Sequence, residues 1–131
     1  MDAITHLLDT HAVIWAYDDA KFLGAQARAV ISHAMPLSLG ISDFTLFEIA
    51  MLVSKGRLQL DLSVETFLQR VETDYVVLPL GALEAASAME LNLEQADPFD
   101  RAIVATALSR NIPLLSKDRQ IAASGLLSVI W

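Results

Sequence analysis

Five acidic residues hold positions from which their carboxylates could act together. Asp9 ends an apolar run, Glu48 falls early in a helical pattern, Asp97 and Asp100 lie within "ADPFDRAIVATA", and Asp118 closely follows another apolar run. Helix capping explains the third of these stretches without any ligand. Asp97 is a good N-cap, Pro98 suits the first helical position, and Asp100 places its charge at the positive end of the helix. Phe99, Ile103 and Ala107, with Val104 and Leu108, then recur at helical spacing. What separates capping from chemistry is whether the acids converge. Crowded carboxylates repel one another, so a cluster either takes up protons or binds cations. An all-oxygen set without His or Cys partners favours Mg²⁺ or Mn²⁺ over Zn²⁺. Such ions retain water as a nucleophile, and a second ion about 3.5–4 Å away stabilises the leaving oxygen. The reaction that fits is hydrolysis of a phosphodiester.

The elements that position these acids follow from the apolar pattern. Strands are expected over residues 4–10, 36–42, 75–80, 112–116 and 126–130, each short and rich in Val, Ile or Leu. A short helix or turn is expected over 11–19, and helices over 24–34, 42–56, 63–74, 81–92 and 97–111, with a short one after Asp118. Ser42 is the expected cap of the third helix and Gly56 its stop; Ser63 and Thr66 both suit the start of the fourth. Helices alternating with apolar strands of little polar alternation specify an α/β fold, here a three-layer α/β/α sandwich around a mainly parallel sheet of about five short strands. Ligands in such folds bind at the carboxyl ends of the strands. Asp9 ends the first strand, Asp118 follows the fourth, and Glu48 lies about 7–8 Å along the helix after the second. Asp100 opens a helix that runs antiparallel to the fourth strand, so its start belongs at that strand's carboxyl end. Four acids from four segments are thereby expected on one edge.

Length and composition are compatible with this. The 131 residues suit one domain, 1–131, with no repeat, low-complexity tract or linker. Apolar residues make up 54%, yet no run approaches the roughly 20 residues of a membrane span. The start of the chain lacks the pattern of a secretory signal, and without cysteine there is neither a disulfide framework nor a thiolate metal site. A cytoplasmic protein without a membrane partner is expected. The net charge of −7 runs against phosphate binding, but the five acids named above account for most of it: setting them aside leaves 11 acidic against 9 basic residues. Bound divalent cations would offset the cluster.

Four segments, "LLDTHAVIWA", "ISDFTLFEIAML", "DPFDRAIVATAL" and "PLLSKDRQI", resemble in that order the signature segments of PIN-domain proteins. The chain is most similar to the VapC-type toxins of bacterial type II toxin–antitoxin pairs, over nearly its whole length, with "DPFDR" followed by "IVATA" as the most specific part. The resemblance implies a Mg²⁺- or Mn²⁺-dependent endoribonuclease that cleaves RNA, is neutralised by a cognate antitoxin and forms a homodimer. Carried onto this sequence, it places the acidic quartet at Asp9, Glu48, Asp100 and Asp118 as catalytic metal ligands, with Asp97 and Ser116 as a second tier. The chain departs from the pattern just before "DPFDR", where family members often carry histidine and this sequence has Glu94, Gln95 and Ala96.

The remaining polar and aromatic residues carry simpler expectations. Thr10 is expected to cap the helix after the first strand, with support of a metal-holding acid as its alternative, and Arg101 to pair with Asp97 on its helix surface or to meet an RNA phosphate. His6, His11 and His33 share no metal-ligand spacing and read as ordinary residues, with His11 alone close to Asp9. Lys117 and Arg119 flank Asp118 as solvated charges or phosphate contacts. Trp15 and Tyr17 pack against the next helix or stack on a base. Phe44, Phe47, Leu52 and Val53 belong to the core or to a dimer contact. A phosphoacceptor receiver is excluded because "VVLPLGA" offers no acid at the end of the third strand. A DNA-directed nuclease generally carries more basic surface, and a non-catalytic PIN-like scaffold would lack one of the four acids.

Overall fold

The computed structural model describes residues 3–131. Its strands are β1 (His6–Leu8), β2 (Leu39–Ser42), β3 (Val76–Leu78), β4 (Leu114–Leu115) and β5 (Val129–Ile130). The helices are α1 (Thr10–Asp18), α2 (Ala25–His33), α3 (Asp43–Ser54), α4 (Val64–Asp74), α5 (Ala82–Glu90), α6 (Pro98–Arg110) and α7 (Arg119–Ala123), with a 3₁₀ turn at Ala20–Phe22 between α1 and α2. All five strands pair in parallel in the order β3-β2-β1-β4-β5. Every element expected from the sequence is present. The strands are shorter than the apolar runs that encode them, because parallel pairing ends where the chain must turn into a helix, while apolar packing continues into the loops.

Alternation of side chains along the strands divides the core in two. Leu8, Ile41 and Leu115 point into one cluster with Ala12 and Val13 of α1, Ala27 of α2, Ile49 of α3, and Phe67 and Val71 of α4. Leu7, Leu78 and Leu114 point into the other with Ile103, Val104 and Ala107 of α6 and Ile121 of α7. The sheet is therefore covered on both faces, which is why its strands read as continuous apolar runs.

Helix ends follow the local chemistry. The Ser42 hydroxyl accepts from the Phe44 amide at 3.1 Å and that of Ser63 from the Thr66 amide at 3.2 Å, so Ser63, not Thr66, caps α4. Gly56, at φ +70°, stops the chain after α3 in the left-handed region open to glycine. The strand order places the switch point between β1 and β4: the chain leaves β1 for β2 and β3 on one side, then crosses back to β4 and β5 on the other. In parallel sheets that crevice is where ligands bind.

Candidate active site

Three acids reach the crevice as helix caps. Asp9 follows β1, its amide donates to the Leu115 carbonyl of β4 at 3.1 Å, and its carboxylate accepts from the Ala12 amide at 2.8 Å to start α1. Asp97 accepts from the Asp100 amide at 2.8 Å and starts α6. Asp118 accepts from the Gln120 and Ile121 amides at 2.8 and 3.1 Å and starts α7. Capping fixes where each carboxylate sits, and the fold brings all three helix starts to one place. Asp100 enters from the first turn of α6, and Glu48, 8% exposed, from the middle of α3. Asp9, Glu48, Asp97, Asp100 and Asp118 line a single cavity of about 500 Å³, together with Thr10, His11, Trp15, Lys117 and Arg119.

Two hydroxyls tie the acids to the scaffold. The Thr10 hydroxyl donates to Glu48 Oε1 at 2.5 Å and stands 3.2 Å from the Thr45 hydroxyl, all three side chains buried. The expectation that Thr10 caps α1 is therefore corrected: Asp9, one residue earlier, is the cap, and Thr10, the first residue of the helix, points across to α3. Thr45 escaped the sequence reading, although it lies one turn before Glu48 on the same helix face. Ser116, buried just after β4, accepts from the Asp118 amide at 3.1 Å and stands near enough to Asp9 to oppose the rise of its pKa. One hydroxyl thus faces the acids that follow β1 and β4.

A second correction concerns Arg101. Its guanidinium does not pair with Asp97; it donates to the carbonyls of Ala88, Leu91 and Leu93, at 3.1, 3.0 and 2.5 Å. Those carbonyls close the end of α5 and open the loop to α6; Leu91 and Leu93 also accept from the Leu93 and Ala96 amides, at 2.9 and 3.5 Å, so the guanidinium adds to a turn the backbone already makes. The loop includes Gln95 at φ +91°, an unfavourable conformation for a residue with a Cβ. Arg101 holds this segment against α6 and so holds Asp97 at its cap. Sequence spacing allowed the ion pair; the planar fork finds three fixed acceptors instead.

The electrostatics follow from burial and crowding. Asp100 is pushed from the ordinary 3.8 up to about 7, by burial first and then by the charges of Asp97, Glu48, Asp118 and Asp9. Glu48 is raised by burial, against the lowering effect of the Thr10 hydroxyl, and by Asp97 and Asp9. Asp9 is raised by burial, with the Ser116 hydroxyl and the Ala12 amide opposing. Among the described residues no three His, Cys, Asp or Glu side chains are already gathered into a closed ligand set. The acids instead line the walls of an open cavity, which suits an ion that keeps several of its own waters. The donors are carboxylate and hydroxyl oxygens only, with His11 exposed at the rim. This set fits a hard divalent cation and does not fit zinc.

The other residues divide. His6 starts β1, at the opposite end of the strand from Asp9, and bonds Thr5; His33 is exposed at the end of α2. Tyr17 lies outside the crevice, its hydroxyl donating to Asp74 at 2.5 Å and its ring against Phe67 and Tyr75. Trp15 packs on Phe22 and also lines the cavity. Leu52 and Val53 are half-buried; Phe44 meets the ring of Phe99, and Phe47 stacks on Phe99 while staying 68% exposed.

Comparison with known proteins agrees with this geometry. A family model described as the PIN domain matches residues 6–125. Ribonuclease VapC22 of Mycobacterium tuberculosis is 32% identical over 118 residues, covering 89% of each chain. Among solved structures, the DNA-bound VapBC of Salmonella typhimurium superposes with a TM-score of 0.72 at 20% identity, over 97% of both chains. VapC20 of M. tuberculosis, described as a sarcin-ricin-loop-cleaving toxin, superposes with a TM-score of 0.63 at 18% identity, over 92% of this chain and 95% of the other. At these identities the two structures speak for the fold.

Proposed function

The chain belongs to the PIN-domain family, and on that premise we propose that it is an endoribonuclease of the VapC type, the toxin of a toxin–antitoxin pair, hydrolysing RNA phosphodiesters with Mg²⁺ or Mn²⁺. The observation that carries this is the convergence of Asp9, Glu48, Asp100 and Asp118, from four separate segments, on one cavity at the carboxyl ends of β1 and β4. These four are the proposed metal-holding and catalytic residues. Asp97 contributes charge from its cap position, and Ser116 fixes the backbone at Asp118 beside Asp9.

A divalent cation bound here supplies charge neutralisation for the phosphodiester and makes water a better nucleophile near neutral pH. The protein's own groups do the rest. Thr10, itself beside the Thr45 hydroxyl, holds Glu48 in one orientation, and the Ala12 amide holds Asp9. Lys117 and Arg119, lining the same cavity, meet the phosphate chain and keep its charge off the acids. The acidic crevice also suits a basic segment of an antitoxin, whose cations would fill the place of the metal. Exposed Phe47 on α3, with Leu83 and Met89 on α5, offers apolar surface for a homodimer.

The experiment is cleavage of single-stranded and structured RNA by the purified protein with Mg²⁺, with Mn²⁺ and in excess EDTA. Cleavage is expected with either ion and none with chelator; undiminished cleavage in EDTA overturns the metal-dependent mechanism. Light scattering that shows a strict monomer at high micromolar concentration overturns the dimer.

A further inference from the structure

The cavity lining is chemically mixed: beside Asp9, Glu48, Asp97, Asp100 and Asp118 it includes His11, Trp15, Lys117 and Arg119. Trp15 is half-buried, and three rings fix its indole: His11 at 5.4 Å between centroids, Phe22 at 5.9 Å and Trp131, edge-on, at 5.7 Å. Trp131 is itself held by its backbone. Its carbonyl accepts from the Gln26 and Ala27 amides at 3.0 and 3.1 Å, and it lies so close to Gly24 that a Cβ there would stand 2.3 Å from that oxygen. The start of α2 thus fixes Trp131, which in turn braces Trp15. The ammonium of Lys117, on an exposed side chain, also lies over the Trp15 ring, 5.7 Å from its centre.

Resting on the ribonuclease reading, we propose that Trp15 is the nucleobase platform of this site. A base next to the scissile phosphate stacks on the indole in place of Lys117, and the displaced Lys117, with Arg119, takes a neighbouring backbone phosphate. A rigid aromatic face with a displaceable cation matches single-stranded nucleic acid, in which bases alternate with phosphates along the chain. A cation–π contact at an exposed site is weak enough to be exchanged for a stacked base and a phosphate contact together. The cavity volume is within the range of small-ligand sites and accommodates a nucleotide beside the acids. Every base offers a flat face, so the platform supplies affinity with little sequence preference. Trp15 acts in positioning the strand and takes no part in bond cleavage.

The test reads binding without turnover, in an Asp100→Asn background with Mg²⁺. The probes are a fluorescein-labelled eight-nucleotide single-stranded RNA and an abasic phosphodiester strand of equal length. Trp15 and Trp131 are the two tryptophans of the chain, so Trp131→Phe leaves Trp15 as the sole indole emitter. RNA is expected to quench that emission and the abasic strand to leave it unchanged. Trp15→Leu is expected to weaken RNA binding, read by anisotropy, about 5- to 150-fold, with abasic-strand affinity unchanged and Trp15→Phe intermediate. Lys117→Gln is expected to lower the slope of log affinity against log salt by about 0.7, the value of one single-strand phosphate contact. If RNA is bound and cleaved while Trp15 emission stays silent and Trp15→Phe binds as wild type, the platform is overturned and the ribonuclease reading stands. If the native chain neither binds nor cleaves RNA, both fall. The emission measurement keeps Trp15 intact, so misfolding of a Trp15 variant does not decide the outcome.

Discussion

Replacing Asp100 with Asn should stabilise the metal-free protein at neutral pH while abolishing its activity. Burial and neighbouring acids raise this carboxyl from 3.8 to about 7. Between those values the folded state holds a proton that the unfolded chain has released, so stability falls as pH rises through the window and the loss is complete above about 7. Taken in full, the shift corresponds to about 4 kcal/mol; the side chain is partly open to solvent, and screening reduces this to about 1–3 kcal/mol. Asn cannot ionise and escapes the loss, at the cost of about 0.3–1 kcal/mol for the charge missing from the start of α6. In EDTA at pH 8 the variant should unfold about 3–8 °C above wild type, with the gap closing toward pH 4. Saturating Mg²⁺ should reverse the order, since an ion at 100 times its Kd adds about 2.7 kcal/mol to the protein that binds it. Thermal unfolding from pH 4 to 8, with and without Mg²⁺, reads all of this. Parallel curves for the two proteins in EDTA, or a less stable variant at pH 8, refute the electrostatic reasoning. Full RNA cleavage by the variant refutes its place in the site.

Thr10→Val preserves shape but removes the hydroxyl that orients Glu48; Mg²⁺ affinity by calorimetry should fall about 10- to 100-fold, and an unchanged affinity removes Thr10 from the site. Arg101→Met removes three charge-assisted hydrogen bonds and leaves the Ala88 carbonyl without its guanidinium donor, which should cost about 2–4 kcal/mol in urea unfolding; Arg101→Lys, lacking the fork, should recover only part of that, and a variant as stable as wild type would show that water replaces the guanidinium. Asp97→Asn keeps the cap, so stability should hold within about 0.5 kcal/mol and cleavage should drop only modestly, whereas Asp97→Ala should lose about 1 kcal/mol. A dead Asp97→Asn beside a fully active Asp100→Asn would exchange the roles of the two acids.

Local chemistry determined much of this protein in advance. Apolar runs too uniform for a half-exposed sheet specified buried parallel strands, and Ser42, Ser63, Asp97 and Gly56 marked helix ends where the structure has them, because capping depends on residues within one turn. The strand-end positions of Asp9 and Asp118 followed from the same pattern, since parallel topology sends strand ends to one edge. What lies beyond one turn needed the tertiary structure. Thr10 is 38 residues from Glu48, and only the packing of α1 against α3 makes its hydroxyl a partner for that carboxylate rather than a cap. Arg101 had a local partner in Asp97, but the fold supplied three fixed carbonyls at the end of α5, which a planar guanidinium satisfies better than a carboxylate already engaged as a cap. Trp15 and Lys117 each stood out in the sequence, but nothing there brings them together or adds Trp131. They meet because β4 and β5 return beside β1, an outcome of strand order that no residue's propensity encodes.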